Sequence, residues 1–128
     1  MKILGIGVDI VENKRIQKSI KNPLFKKRIY TSKELKQSVT VNNKVAYFSK
    51  RFAAKEAFSK AIGTGFRMNL NFNDIEVVND KKGKPYYVKN KKITKIVQKN
   101  FKIKNFKCFL SISDEKKYAT AFAIIQAS

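Results

Sequence analysis

The sequence predicts an α+β fold, a mostly antiparallel sheet with helices packed on one of its faces, and three observations predict it. Residues 3 to 10 alternate as a strand does, a long helical stretch runs to Ala61, and residues 72 to 125 return to short apolar runs separated by polar turns. Strands, then helices, then strands again is the order expected when helices cover one face of a sheet.

In the opening strand Leu4, Ile6, Val8 and Ile10 share one face, while Ile3, Gly5, Gly7 and Asp9 share the other. The first face is expected to be core. The second lacks two side chains beside a carboxylate, which admits either a ligand to the backbone or a closely packed helix. From Glu12 to Lys21 the pattern is helical, with Ile16 and Ile20 inward; Asn22 and Pro23 end it. Lys14, Lys18 and Lys21 stack along this helix beside Arg15, with no acid among them, so an acidic partner would relieve their repulsion. The run LFKKRI gives a second short helix, and Thr31 to Glu34 fit a capping box that opens a third.

Asn42 or Asn43 caps the long helix, and Gly63 and Gly65 stop it around Thr64, where a phosphate-friendly loop or a plain helix terminus would look alike. Residues 72 to 78 and 85 to 88 read as a hairpin about the turn NDKKGK. ITKIVQKNF is a helix with Ile93, Ile96 and Val97 inward. FKCFLSIS and YATAFAII are the last strands, joined by the turn Asp114 to Lys117. No repeat or linker interrupts the chain, and its 128 residues suit one domain spanning 1–128.

The charge balance is strongly basic, 29 Lys and Arg against 9 Asp and Glu, for a formal charge of +20. Acidic partners follow: nucleic acid, an anionic membrane surface, an acidic protein or a phosphorylated small molecule. Many lysines alternate with asparagines, a pattern that coding bias would also produce. With no histidine, Ser-His-Asp and Cys-His systems are excluded and the commonest zinc ligand is missing. One cysteine excludes an intrachain disulfide, and Cys108 in its apolar run reads as a buried structural thiol in a reducing, cytoplasmic setting. Asp9 and Glu12 interrupt the apolar N-terminal stretch, which suits a strand better than a signal peptide, and no segment is long enough to span a membrane.

The most informative stretch is RFAAKEAFSKAIGTG, residues 51 to 65, which sets Glu56 and Lys60 one helical turn apart. At roughly 100° per residue, Val45, Phe48 and Phe52 form the apolar stripe and Glu56 falls about 40° from Phe52, at the edge of the core. A carboxylate placed there needs either a cation beside it or a metal ion. Carboxylate and ammonium together suit chemistry on a metal-bound phosphate, although a surface ion pair has the same spacing. A cation held between Asp9 and Glu56 would tie the first strand to the long helix, and two carboxylates completed by water or phosphate is how Mg²⁺ usually binds beside a pyrophosphate.

Three motifs, GIGVDIVENKRI (5 to 16), KRFAAKEAFSKAIGTG (50 to 65) and GKPY (83 to 86) with the closing SISDEKKYATA, resemble the small bacterial, holo-acyl-carrier-protein synthase type of 4′-phosphopantetheinyl transferase. The resemblance runs across nearly all of the chain. It implies that family's fold and the transfer of phosphopantetheine from coenzyme A to a serine of an acyl carrier protein, releasing adenosine 3′,5′-bisphosphate in support of fatty acid synthesis. Asp9 and Glu56 match the family's Mg²⁺ carboxylates, and Lys60 matches the lysine that meets the leaving phosphate. Gly83, Lys84, Pro85, Ser113 and Asp114 match the grip on the nucleotide end, Asp114 standing where several relatives carry His. Lys14, Arg15 and Lys18 match positions that meet the acidic carrier protein. The family's trimers have active sites spanning neighbouring subunits, an arrangement that would put Asp9 and Glu56 on different chains.

A basic, noncatalytic nucleic-acid binder is the competing reading of the charge, and it calls for basic and aromatic residues interleaved on one exposed sheet face. Here the aromatics mostly follow core periodicity. A noncatalytic assembly protein of the same fold is a third reading, against which Asp9, Glu56 and Lys60 stand together.

Overall fold

The computed structural model describes residues 2–67 and 69–128. In chain order the elements are β1 (Lys2–Glu12), α1 (Asn13–Ser19), α2 (Pro23–Ile29), α3 (Ser32–Ser38), α4 (Lys44–Ile62), a 3-10 turn (Phe72–Asp74), β2 (Val77–Asn79), β3 (Pro85–Tyr87), α5 (Lys91–Phe101), β4 (Phe106–Asp114) and β5 (Tyr118–Ala127). The sheet is antiparallel in the order β1-β5-β4, and β2 and β3 form a separate antiparallel hairpin. Helix α4 lies across the inner sheet face, where Ala57 and Ala61 meet Gly7 and Gly5.

That contact reverses the expected facing of β1. A Cβ on Gly7 would lie 1.9 Å from the Ala57 carbonyl oxygen, and one on Gly5 1.8 Å from that of Ala61. The glycines therefore admit the helix, and their face is the core face. Ile6, Val8 and Ile10, expected inside, are 59%, 57% and 65% exposed on the outer face. Strand alternation sorts residues into two sets but does not say which set is buried. Leu4 lies at a register shift between Ile3 and Gly5 and packs on the core despite its place in the outward set.

Several local signals are realised. Thr31 Oγ1 accepts from the Glu34 amide at 3.2 Å while Glu34 Oε1 accepts from the Thr31 amide at 2.9 Å, completing the capping box. Asn43 is the cap of α4, accepting from the Ala46 amide at 3.0 Å, and Gly63 closes the helix at φ 91°. Helix α1 stops at Ser19, short of the expected Lys21, and Asn22 and Pro23 instead begin α2: Asn22 accepts from the Leu24 amide, and proline in the first turn gives up an amide that needs no helical partner. Residues 72 to 74 form a 3-10 turn rather than a strand, because the Asp74 carboxylate takes the Asn71 amide and curls the chain. Burial pushes the Cys108 thiol up to about 11, in keeping with an unreactive, structural role.

Helix α4 is buried on most of its circumference rather than along one stripe, and this encloses a charge that periodicity does not reveal. Lys55 and Glu34 form an ion pair at 2.8 Å with neither side chain exposed. Lys55 also donates to the carbonyls of Phe72 and Ile75, and Glu34 Oε2 accepts from the Val77 amide at 2.8 Å. Burial pulls the Lys55 ammonium below its ordinary range, and the Glu34 carboxylate opposes that pull. One closed network thus fastens α3, α4, the 3-10 turn and β2 together, and removing either ion would leave its partner stranded.

Gly7→Ala is expected to cost about 3 kcal/mol or more in urea unfolding, since backbone rather than a flexible side chain occupies the space its methyl needs. Unchanged stability would mean that β1 and α4 stand farther apart than described.

Candidate active site

Asp9 reaches the inner side of β1 beside α4 because it lies two residues beyond Gly7 on the same strand face. Thr120 on β5 anchors it by donating to its backbone carbonyl at 2.8 Å. Lys60, in the last turn of α4, donates to Asp9 Oδ1 and to the Val8 carbonyl, both at 3.1 Å. The lysine side chain is 51% exposed and the aspartate side chain 13%. Glu56, one turn earlier on α4, is half-buried and makes no side-chain hydrogen bond or ion pair among the described residues.

The i, i+4 pair that the sequence suggests is therefore not the one formed: Lys60 turns to Asp9 and leaves Glu56 unmatched. Burial raises the Glu56 carboxyl above its ordinary value, and the nearby Asp9 charge raises it further; Lys60 and Arg15 only partly offset this. Burial likewise raises Asp9, against the hydrogen bond and charge of Lys60. Two acids within electrostatic reach of each other belong to one chain. This corrects the expectation that a shared site would divide Asp9 from Glu56, and the cause is the direct crossing of β1 on α4.

Arg15 lies on the same side, its guanidinium carbon 5.3 Å from the Phe52 ring centroid. Lys14 and Lys18 are exposed and line an open groove along α1 with Glu12, Gln17 and Lys21. The expected nucleotide residues lie elsewhere. Pro85 opens β3, and Gly83, at φ 87°, and Lys84 belong to the β2–β3 turn, which the Asp80 carboxylate organises by accepting the Lys82 and Lys84 amides, both at 2.9 Å. Ser113 and Asp114 end β4, and the turn after them is fastened to α1 by Asn13, whose side chain donates to the Glu115 and Lys116 carbonyls. Among the described residues no hydrogen bond or ion pair joins either group to Asp9, Glu56 or Lys60.

A further cation escaped the reading of motifs. Arg51 is 4% exposed, its guanidinium carbon 3.8 Å from the Tyr47 ring centroid and its Nε without a hydrogen-bond partner. With Lys50, Asn43 and Asn79 it lines an open cleft, and the adjoining groove, which shares Asn43 and Ala46, includes Lys14 and Asp114. The available signal was a charge inside the apolar run RFAA, where a guanidinium has to be partnered or functional.

The family described as the 4′-phosphopantetheinyl transferase superfamily matches residues 5–123. The holo-[acyl-carrier-protein] synthase of Pelagibacter ubique is 65% identical over 126 residues, covering 98% of this chain and 98% of its own. The crystal structure of the Neisseria meningitidis holo-[acyl-carrier-protein] synthase aligns at TM-score 0.87 and 39% identity, covering 97% of this chain and 98% of that one. The Bacillus anthracis synthase, solved in complex with CoA (3′,5′-ADP), aligns at TM-score 0.82 and 35% identity over 100% of both chains.

The raised carboxyls fix the sign of a pH effect. A folded acid that holds its proton more tightly than the unfolded chain contributes a loss of stability that grows as pH rises from the unfolded carboxylate value through the folded one. Without divalent cations, Glu56→Gln should therefore flatten the decline of the urea midpoint with pH and leave the variant at least as stable as wild type at pH 7. A variant less stable at pH 7 would show that Glu56 is better partnered than its surroundings indicate.

Proposed function

Because the chain belongs to the 4′-phosphopantetheinyl transferase superfamily, we propose that Asp9, Glu56 and Lys60 transfer 4′-phosphopantetheine from coenzyme A to a serine of an apo acyl carrier protein. The observation that carries this reading is two adjacent, half-buried acids that, among the described residues, have one ion pair between them, at the side of an ammonium. A carboxylate without a bonded partner beside a second carboxylate suits a divalent cation, and the oxygen-only donor set suits Mg²⁺ completed by phosphate and water. When bound, Mg²⁺ supplies charge neutralisation at the diphosphate. Asp9 and Glu56 would hold it, fixing β1 and α4 as the two jaws of the site.

Lys60 is half-exposed and lies on the solvent side of Asp9, from which it can meet the charge that gathers on the departing adenosine 3′,5′-bisphosphate as the serine hydroxyl attacks the adjacent phosphorus and gives up its proton to a neighbouring carboxylate or to water. Positioning and charge suffice for such a transfer, so the absence of histidine in the sequence is no obstacle. The Arg51 and Lys50 cleft suits the 3′-phosphate of coenzyme A: two cations line it, and the groove continues to Asp114 on one side and to Asn79, which pairs with Pro85, on the other. The exposed Lys14, Arg15 and Lys18 suit the acidic carrier.

Arg51 and Glu56 are five residues apart on α4, about 140° around the helix, so the cleft and the acid pair face different ways. One donor molecule would then take them from adjacent copies, which favours a homotrimer with interfacial sites. The outer sheet face supports assembly: Ile6, Val8, Ile10, Phe109 and Phe122 are all at least 41% exposed. These aliphatic neighbours also favour self-association over base stacking, which would want lysines between the rings. No helix of the described residues is long and apolar enough to cross a membrane, and we place the reaction, performed by one domain, in the cytoplasm in support of fatty acid synthesis.

Mixing the protein with coenzyme A, Mg²⁺ and an apo acyl carrier protein should raise the carrier's mass by one phosphopantetheine, and Glu56→Ala should abolish the gain while keeping the far-UV spectrum. No gain with wild type would remove the assignment. For the assembly, Val8→Asp is expected to yield folded monomers by light scattering with most activity lost; an unchanged oligomer would place the interface elsewhere.

A further inference from the structure

Four charges meet where β1, α1 and α4 come together, and one of them is free to leave. Lys60 is committed to Asp9 at 3.1 Å, and Glu56 has no bonded partner among the described residues. Arg15 is a second cation on this side. Its guanidinium rests 5.3 Å from the centroid of Phe52, a ring fixed by stacking on Phe72 at 5.3 Å and on Phe25 at 6.4 Å. Phe52 and Glu56 are one helical turn apart and share a face of α4, so the platform that carries Arg15 is next to the unmatched acid. Arg15 is nonetheless exposed, and its helix neighbours Lys14 and Lys18 push it away from their own stripe.

We propose that Arg15 is the resident counter-charge of the Asp9 and Glu56 pair, that a divalent cation displaces it, and that metal binding thereby frees Arg15 for the acidic carrier protein. The inference rests on the metal reading given above and adds a coupling to it. Without metal, the two acids are balanced by Lys60 and Arg15. A divalent cation in contact with both acids cancels the field that draws the guanidinium inward and repels it besides. The side chain needs no rearrangement of α1 to respond, because it is already exposed. Linkage makes the effect reciprocal: to the extent that metal promotes carrier docking, the docked carrier, by drawing Arg15 outward, tightens the metal site. Arg15 then acts as a positioning residue that favours loading of the cation before the protein substrate.

Calorimetric titration of MgCl₂ into wild type, Arg15→Gln and Arg15→Lys tests the first half. Arg15→Gln should bind Mg²⁺ on the order of fivefold tighter, since the competing charge is gone, and Arg15→Lys should stay near wild type. Equal affinity in wild type and Arg15→Gln overturns the coupling and leaves the metal reading intact, whereas no Mg²⁺ binding by either protein removes both. Binding of an apo acyl carrier protein without coenzyme A, in MgCl₂ and in NaCl of equal ionic strength, tests the second half. The loss of carrier affinity caused by Arg15→Gln should be larger in MgCl₂, and an equal loss in both salts overturns the release of Arg15.

Discussion

The contact between the Gly5 and Gly7 backbone and the Ala57 and Ala61 turns of α4 is the constraint on which the rest of the structure depends. With no Cβ on the strand and only methyl groups on the helix, the two backbones come close enough that even one added carbon would overlap a carbonyl oxygen. At that separation the carboxylate two residues beyond Gly7 and the ammonium one turn beyond Glu56 are within hydrogen-bond distance. The site is thus a by-product of tight packing: its distances are set by backbone against backbone, where little can yield.

The second fastening is the buried Glu34 and Lys55 pair. Isolated, either ion would be costly inside the protein; together, with the Thr31 and Val77 amides and the Phe72 and Ile75 carbonyls, their hydrogen-bonding capacity is largely met. Lys55 and Glu56 are consecutive, yet one is sealed in this network and the other lies beside Asp9. The same helix consequently presents a structural charge and a chemical charge at neighbouring positions, and the packing of the first holds the direction of the second.

Local chemistry made much of the fold legible. Caps at Thr31 and Asn43, the glycine stop at Gly63 and the strand periods at both ends fall where side-chain hydrogen bonding and backbone freedom require. The inward face of β1 was not legible, because apolar residues fill its outer side as well, and only the small residues facing each other across β1 and α4 settle it. Asp74 defeated the strand reading at residues 72 to 74 through a capping bond that a count of apolar residues does not register. In the site, Asp9, Glu56 and Lys60 are legible from residue type and resemblance, but the pairing of Lys60 with Asp9 and the burial of Arg51 depend on contacts between segments far apart in sequence.

Helix α4 is enclosed by the sheet on one side and by α1, α3 and β2 on others, and a charge locked into its middle forbids it to roll. A rod so clamped has no play with which to adjust to acceptors of different outline. Adaptation to shape must therefore come from the periphery, from long basic side chains on the short α1, which can be exchanged over evolutionary time without loosening the chemical centre.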